Sequence, residues 1–379
     1  MSVVRRETRR RWAVVAALLA ALGAAPTLVA TARTHLTTPA APGATPAQLL
    51  ARALDGEDVP HRAVAESRGA LGLPDLGLKS VAGLLGGTTR TRVWWAGPAE
   101  WRVDTLSGTG ETGDYAAPGA LTTWDYETNS VTTTFGTPAV RLPRAVDLLP
   151  PGVARRFLRG LGPGDTVSAL PDRLVAGAPA AGFRVRPGDD RSSLGSVDVW
   201  VQRDGLPVEV RVVGRTGLPM LTTRYLEVHR GRPPATLLRP PTPATAQWHS
   251  EQAPDVAARV AELPAGQLPG SLAGLPASTS LAAGAATYGR GLVRIVVLPL
   301  PPSPARRLLA DAEDGGGVPV DVGDGDGEAV LLRSAGLAAV VAMSHDGVHA
   351  YLLSGAVTPD LLRGAAGDLL RSAAERWYP

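Results

Sequence analysis

From about residue 60 onward, apolar and polar side chains alternate with a period of two. Trp101, Val103 and Thr105 fall on one side, and Arg102 and Asp104 on the other. Trp124 and Tyr126 share a face, and Asn129 then turns the chain into Val131, Thr133 and Phe135. Val197, Val199 and Val201 alternate around Asp198, and an Asp204-Gly205 turn leads to Val208, Val210 and Val212 with Glu209 and Arg211 between them. Such alternation across tight turns predicts a large antiparallel sheet with one apolar face and one wet face. A short helix is expected within it over 152–161. Upstream, Thr45 is placed to cap a helix with Pro46 in its first position and Leu49, Leu50 and Leu54 to bury.

The pattern changes after residue 230. Pro233-Pro234, Pro240-Pro241, Pro243 and Pro254 mark 231–254 as a semi-rigid linker or extended arm. A smaller α+β unit follows. Its expected elements are a helix over 255–263, a strand over 291–298 and a helix from Ser303-Pro304 through Leu309. Strands over 328–333 and 338–343 come next, then a hairpin turn at Asp346-Gly347 into 348–353. Thr358-Pro359-Asp360 opens a closing helix with a cap, a proline and an early acid. The expected domains are therefore 45–230 and 255–379, joined by 231–254.

Residues 1–32 carry a different signal. Arg5, Arg6, Arg9, Arg10 and Arg11 precede 21 uncharged residues, nine of them Ala, ending in Ala30-Thr31-Ala32. A basic head, an apolar stretch and an A-x-A site indicate an export signal peptide or signal anchor. This places the protein outside the cytoplasm, secreted or tethered through that segment. The leader also explains the charge. The chain has a net charge of +3, but the leader holds five Arg and one Glu, so the remainder is close to −1. A basic pI is thus no argument for nucleic acid as a partner. The absence of cysteine excludes disulfides, thiol nucleophiles, Cys-ligated metals and a lipidated Cys anchor.

Motifs that carry chemistry are weak. Gly108-Thr109-Gly110-Glu111-Thr112-Gly113 has the spacing of a dinucleotide loop but runs into Ala116-Ala117-Pro118-Gly119, which cannot open a helix. Gly77-Leu78-Lys79 misses P-loop spacing by one residue, and no G-x-S-x-G elbow occurs. His345 and His349 flank a hairpin turn instead of sharing a helix face, and Asp321, Asp324, Asp326 and Glu328 lack the order of a calcium loop. The sequence therefore calls for no cofactor and no metal, and points to binding and not catalysis.

A family resemblance enters at Leu71-Gly72-Leu73-Pro74-Asp75-Leu76, followed by Thr91-Arg92-Val93-Trp94-Trp95-Ala96-Gly97-Pro98, Trp101-Arg102-Val103 and Thr123-Trp124-Asp125-Tyr126. This series resembles exported actinobacterial proteins related to LolA and to the N-terminal domain of RseB/MucB. Tyr288-Gly289-Arg290-Gly291-Leu292 and Ser354-Gly355-Ala356-Val357-Thr358-Pro359 resemble the C-terminal domain of the same regulators. The resemblance implies an N-terminal half-open antiparallel β-barrel with covering helices, plus a small α+β C-terminal domain. It also implies an exported regulator that senses an envelope ligand in an apolar groove and contacts a membrane anti-sigma factor. The alternative is a lipid or lipoprotein carrier of LolA type, with acyl chains as cargo. Trp94, Trp101, Trp124, Tyr126 and Phe135 are the candidate groove residues, with ordinary sheet core or the wet face as the competing placement for each. Trp94 and Trp95 are adjacent in an extended segment, so only one of them can face the groove.

Overall fold

The computed structural model describes residues 40–41, 43–70, 79–106, 110–136, 141, 143–253, 268–280, 285–323 and 327–377. The leader, the Leu71–Leu76 string and the helix expected over 255–263 lie outside the described residues.

The first half begins with helix α1 (Pro46–Leu54) and strand β1 (His61–Gly69), then α2 (Lys79–Gly86). Five strands follow: β2 (Thr88–Gly97), β3 (Glu100–Leu106), β4 (Glu111–Ala117), β5 (Ala120–Asp125) and β6 (Ser130–Phe135). After α3 (Pro150–Leu158) come β7 (Thr166–Val175), β8 (Ala178–Arg186), β9 (Leu194–Val201), β10 (Pro207–Gly214) and β11 (Pro219–Arg230). A one-turn helix α4 (Ala235–Leu238) then leads to β12 (Gln247–Gln252).

All twelve strands form one sheet in the order β12-β6-β5-β4-β3-β2-β1-β11-β10-β9-β8-β7, with β12 and β7 as unjoined edges. The sheet is thus an open barrel. Neighbours are antiparallel except β12, which runs parallel to β6. A parallel neighbour requires a long connection, and residues 136–246 lie between β6 and β12. The proline-rich stretch consequently extends the sheet: Leu238 of α4 is buried, and β12 is exposed along its whole length.

One face of this sheet, here the inner face, carries the helices. Thr45 accepts from the Gln48 N–H, and the Gln48 side chain accepts from Thr45 N–H, so a reciprocal cap starts α1 as the sequence predicts. Leu49 and Ala53 of α1 and Val153, Ala154 and Leu158 of α3 pack on Val197, Val199, Val201, Val210 and Val212. Fully burying a Val or Leu side chain contributes about 1.5–3 kcal/mol, so this half of the inner face is a sealed core. On the half formed by β2–β6, Leu84 of α2 and the segment Ala145–Leu149 before α3 pack on Val93, Trp95, Trp101 and Val103.

The second half contains β13 (Ser271–Leu272), β14 (Leu275–Ser280), β15 (Ala286–Arg290) and β16 (Val293–Pro299), then α5 (Pro302–Asp314). It continues with β17 (Val318–Pro319), β18 (Gly327–Ser334), β19 (Leu337–Ser344), β20 (Ala350–Gly355) and α6 (Pro359–Trp377). Its sheet order is β13-β14-β15-β16-β20-β19-β18-β17. Leu362, Ala365, Ala366 and Leu369 of α6 pack on Leu331, Val340 and Leu353, whereas Ala305, Leu309 and Ala312 of α5 pack on Val330, Val341 and Met343. Covering by helices on both faces explains why β18 and β19 are near-continuous apolar runs and not alternating ones.

The two sheets meet at the segment after Asp189. Ser193 N–H donates to Ala356 C=O and Thr358 N–H to Arg191 C=O. Ser192 Oγ donates to Leu292 C=O at 3.1 Å, and Gly291 N–H to Gly160 C=O at 2.8 Å. The last of these bonds makes the turn after α3 and the turn before β16 direct neighbours.

Candidate functional site

The site grows from the β2–β3 hairpin. Its register pairs Trp95 with Trp101 and Val93 with Val103, which puts all four on the inner face. The two indole rings are stacked with centroids 6.1 Å apart and planes 9° from parallel. β1 pairs His61 with Trp95, and the imidazole lies against that indole with ring centroids 6.4 Å apart. Trp95 Nε1–H donates to Glu57 C=O at 2.6 Å, fixing the ring.

Behind the rings, His61 and Tyr225 form a buried pair. His61 Nδ1 lies 2.7 Å from Val59 C=O and Nε2 lies 2.8 Å from the Tyr225 hydroxyl. A carbonyl only accepts, so Nδ1 carries the proton, and Nε2 accepts from Tyr225. Burial lowers the His61 pKa to about 4, the Val59 carbonyl only partly offsetting it. The imidazole is therefore neutral near pH 7, and burial pushes the Tyr225 phenol far above its ordinary range.

A cavity of about 1020 Å³ opens over these rings. Trp95, Trp101, Leu121 and Tyr225 line it from the sheet, and Val146 and Leu149 line it from the segment that enters α3. Pro150 and Pro151 start α3, whose apolar stripe Val153, Ala154 and Leu158 turns to the sealed core. The same turn points Arg155, Arg156 and Arg159 at the cavity, joined by Arg141 and Arg144 from the preceding loop and by Arg294 from β16. Six arginines against Glu57 and Asp147 leave the lining with an excess of positive charge.

These arginines are not equivalent. Arg141 makes two hydrogen bonds to Asp147, at 2.6 and 2.7 Å, and Arg155 is bonded to Glu57. Burial raises the Asp147 carboxyl, but Arg141 and the Arg144 backbone N–H outweigh it and hold it below its ordinary value. Arg144, Arg159 and Arg294 form no salt bridge among the described residues. Arg294 instead donates to the Arg159 carbonyl and lies 3.4 Å from that of Gly160. Gly160 has φ +72°, and a Cβ there would meet the Arg294 guanidinium at 3.1 Å, so glycine both ends α3 and leaves that side chain its place.

The outer face of the same sheet is polar by a different construction. Glu66 is bridged by Arg68, Arg90 and Arg224, and Asp198 by Arg184 at 2.5 Å. Arg102 binds Asp104 through two 2.7 Å hydrogen bonds and lies over the rings of Trp94 and Tyr115.

Of the five aromatic residues the sequence nominates for the groove, the structure brings only Trp101 to the cavity. Trp94 lies on the outer face beneath Arg102, and its neighbour Trp95 takes the inner place. Trp124 and Tyr126 do share a face, stacked with centroids 4.1 Å apart, but Tyr126 bonds the Tyr115 hydroxyl on the outer side. Phe135 is 44% exposed on the strand paired with β12. The difference in placement has one cause. The β2–β3 and β4–β5 registers set which parity points inward, and alternation alone does not say which face is concave. Sequence reading missed Tyr225, Val146, Leu149 and the arginines, which converge from segments far apart in the chain. His345 and His349 flank the β19–β20 turn as expected, and no group of three or more metal-binding side chains occurs among the described residues. The acidic run at 321–328 lies partly outside those residues. No helix among the described residues is long and apolar enough to cross a membrane.

No family model matches the chain, and no curated protein does. Solved structures similar to it include the MucA/MucB complex of Pseudomonas aeruginosa, with 16% identity over 85% of this chain and 96% of that one and a TM-score of 0.48. MucB in complex with periplasmic MucA is similar at 15% identity, covering 84% of this chain and 96% of that one, with a TM-score of 0.45. A LolA superfamily protein from Nitrosomonas europaea is similar at 12% identity over 52% of this chain and 99% of that one, with a TM-score of 0.25.

Proposed function

We propose that this chain is an exported, regulatory binding protein that holds an apolar ligand against the inner face of its larger sheet and contacts a membrane partner of anti-sigma type. One observation carries the ligand part of the reading: the cavity of about 1020 Å³ floored by Trp95, Trp101, Leu121 and Tyr225. Its size is at the upper end of small-molecule sites, which run to about 1,000 Å³, and an apolar wall with a few polar groups is what such sites share. The partner reading is supported by the RseB/MucB-like motifs in both halves of the sequence. The bonds between the end of α3 and β16 give the smaller unit a direct contact with the cavity wall.

The test is native mass spectrometry of the exported protein purified without detergent, followed by crosslinking in a membrane fraction. Co-purified lipid together with a crosslink to a single-span membrane protein is the expected result. Lipid with no protein partner would instead identify a carrier, and an empty cavity without a partner would remove both readings.

A further inference from the structure

A sheet edge leaves a row of main-chain donors and acceptors unpaired, and folded proteins blunt such edges against pairing with another chain. Among the described residues, three of the four sheet edges are blunted. β13 and β17 have two residues each. β7 contains Pro171, and its register with β8 shifts between Leu170 and Arg173. Two of its carbonyls also accept from the side chains of Trp200 and Gln202. The fourth edge, β12, has none of these devices. Its six residues keep an unbroken register with β6, include no proline or lysine, and are all exposed. Trp248 pairs with Val131, which shares a face with Phe135, so two aromatic rings, 49% and 44% exposed, stand on one side of this edge.

The pattern of β12 is complementary to itself. Gln247 N–H donates to Asn129 C=O and Ala253 N–H to Phe135 C=O, so the odd-numbered residues direct their main-chain groups to β6. Trp248, Ser250 and Gln252 therefore direct theirs outward. We propose that a second copy of this chain occupies the edge, with β12 antiparallel to β12 about a two-fold axis at Ser250. In that register the two Ser250 residues pair with each other, and each Trp248 pairs with Gln252 of the second copy. These are the hydrogen-bonded positions of an antiparallel ladder, and about six main-chain bonds form across it. His249 then stands opposite Glu251 of the second copy, twice, at the closer positions, where an imidazole N–H meets a carboxylate. The Thr134 hydroxyl already holds Glu251 in place, donating to it at 3.0 Å. An axis at His249 would set that residue against itself and leave Gln252 without a strand partner, so the sequence favours one register. The product is an isologous dimer in which two sheets become one.

The test is sedimentation of the full exported chain at about 100 μM, where a dissociation constant of micromolar order gives mostly dimer. A dimer is the expected result. Ser250→Pro removes one outward N–H, which β6 does not use, and should give a monomer with an unchanged unfolding midpoint. Glu251→Lys should weaken the dimer about tenfold, and His249→Glu combined with Glu251→His should restore it. The chain has no cysteine, so Ser250→Cys places one thiol at the axis. Its Cα would lie about 5.5 Å from that of its copy, within disulfide reach. A mild oxidant should link that variant into a dimer and leave Arg203→Cys, in the exposed β9–β10 turn, unlinked. A monomer at this concentration would overturn the proposal, and so would a dimer that Ser250→Pro leaves intact. Crosslinks from position 250 to a different protein alone would give the edge to that protein and overturn it as well. Each of these outcomes leaves the ligand reading of the cavity standing.

Discussion

The two faces of the twelve-stranded sheet use arginine in opposite ways. On the outer face the charge is satisfied in place. Asp104 is fully buried beside Arg102, Asp198 receives Arg184, and Glu66 is shared by three arginines. On the inner face, arginines gather at the cavity mouth and half of the six make no salt bridge among the described residues. Paired charges serve the fold, since removing one partner leaves the other stranded. The charges at the opening lack that arrangement: Arg294 is bonded to backbone carbonyls, and Arg144, Arg159 and Arg294 form no salt bridge among the described residues. The two faces therefore differ in whether arginine is matched by a carboxylate.

That separation can be broken by measurement. Asp104→Ala should be the most damaging change, because it leaves Arg102 held between Trp94 and Tyr115 without its counterion. Breaking a buried pair costs about 3–5 kcal/mol, and urea unfolding would read it as a lower midpoint at unchanged slope. A cost below about 1 kcal/mol would show that the outer-face pairs are dispensable.

His61 is the next largest. Its folded pKa is about 4 against an ordinary 6.5, so proton uptake favours the unfolded chain. Its contribution is complete above about pH 6.5 and is lost as the pH falls towards 4, by up to about 3 kcal/mol. Unfolding midpoints measured between pH 7 and pH 4 should fall in the native protein, and His61→Gln should flatten that fall. An identical pH slope in the variant would mean that other groups control it.

Arg184→Gln should cost about 1–2 kcal/mol, less than the change at Asp104, because its side chain is 29% exposed and water recovers part of the loss. The smallest effect is expected at the mouth. Arg159→Gln should change stability by no more than about 0.5 kcal/mol, as for a surface site without a special contact. Thermal unfolding would show this, and a loss comparable to that of Arg184→Gln would erase the distinction between the two faces.

Much of the architecture was legible in the residues. Alternation at Trp101–Thr105 and Val208–Val212 located strands, Thr45-Pro46 located the start of α1, and the Asp346-Gly347 turn located the β19–β20 hairpin. These are local signals, set by the two-residue repeat of a strand and by caps and turns a few residues long. The groove was less legible. Trp94 and Trp95 are equivalent as neighbours, and only the pairing of Trp95 with Trp101 across Gly97 decides which one faces inward. The proline-rich stretch 231–254 looked like a connection, yet its residues 247–252 pair in parallel with β6 as β12, a pairing between segments more than a hundred positions apart that no local signal announces.

By itself, then, the sequence determined that this chain builds an antiparallel sheet with one apolar face and further strands and helices after it, and that no cysteine chemistry is available to it. Those properties follow from composition and short-range periodicity, which need no knowledge of distant residues. Only the tertiary structure decided which face is the inner one and that His61 is buried neutral against Tyr225, 164 positions away. It alone also assembled a charged mouth from Arg144, Arg159 and Arg294. The physical reason is that a strand's repeat states which side chains share a face. What that face meets is settled when curvature, register and the packing of α3 bring remote segments together.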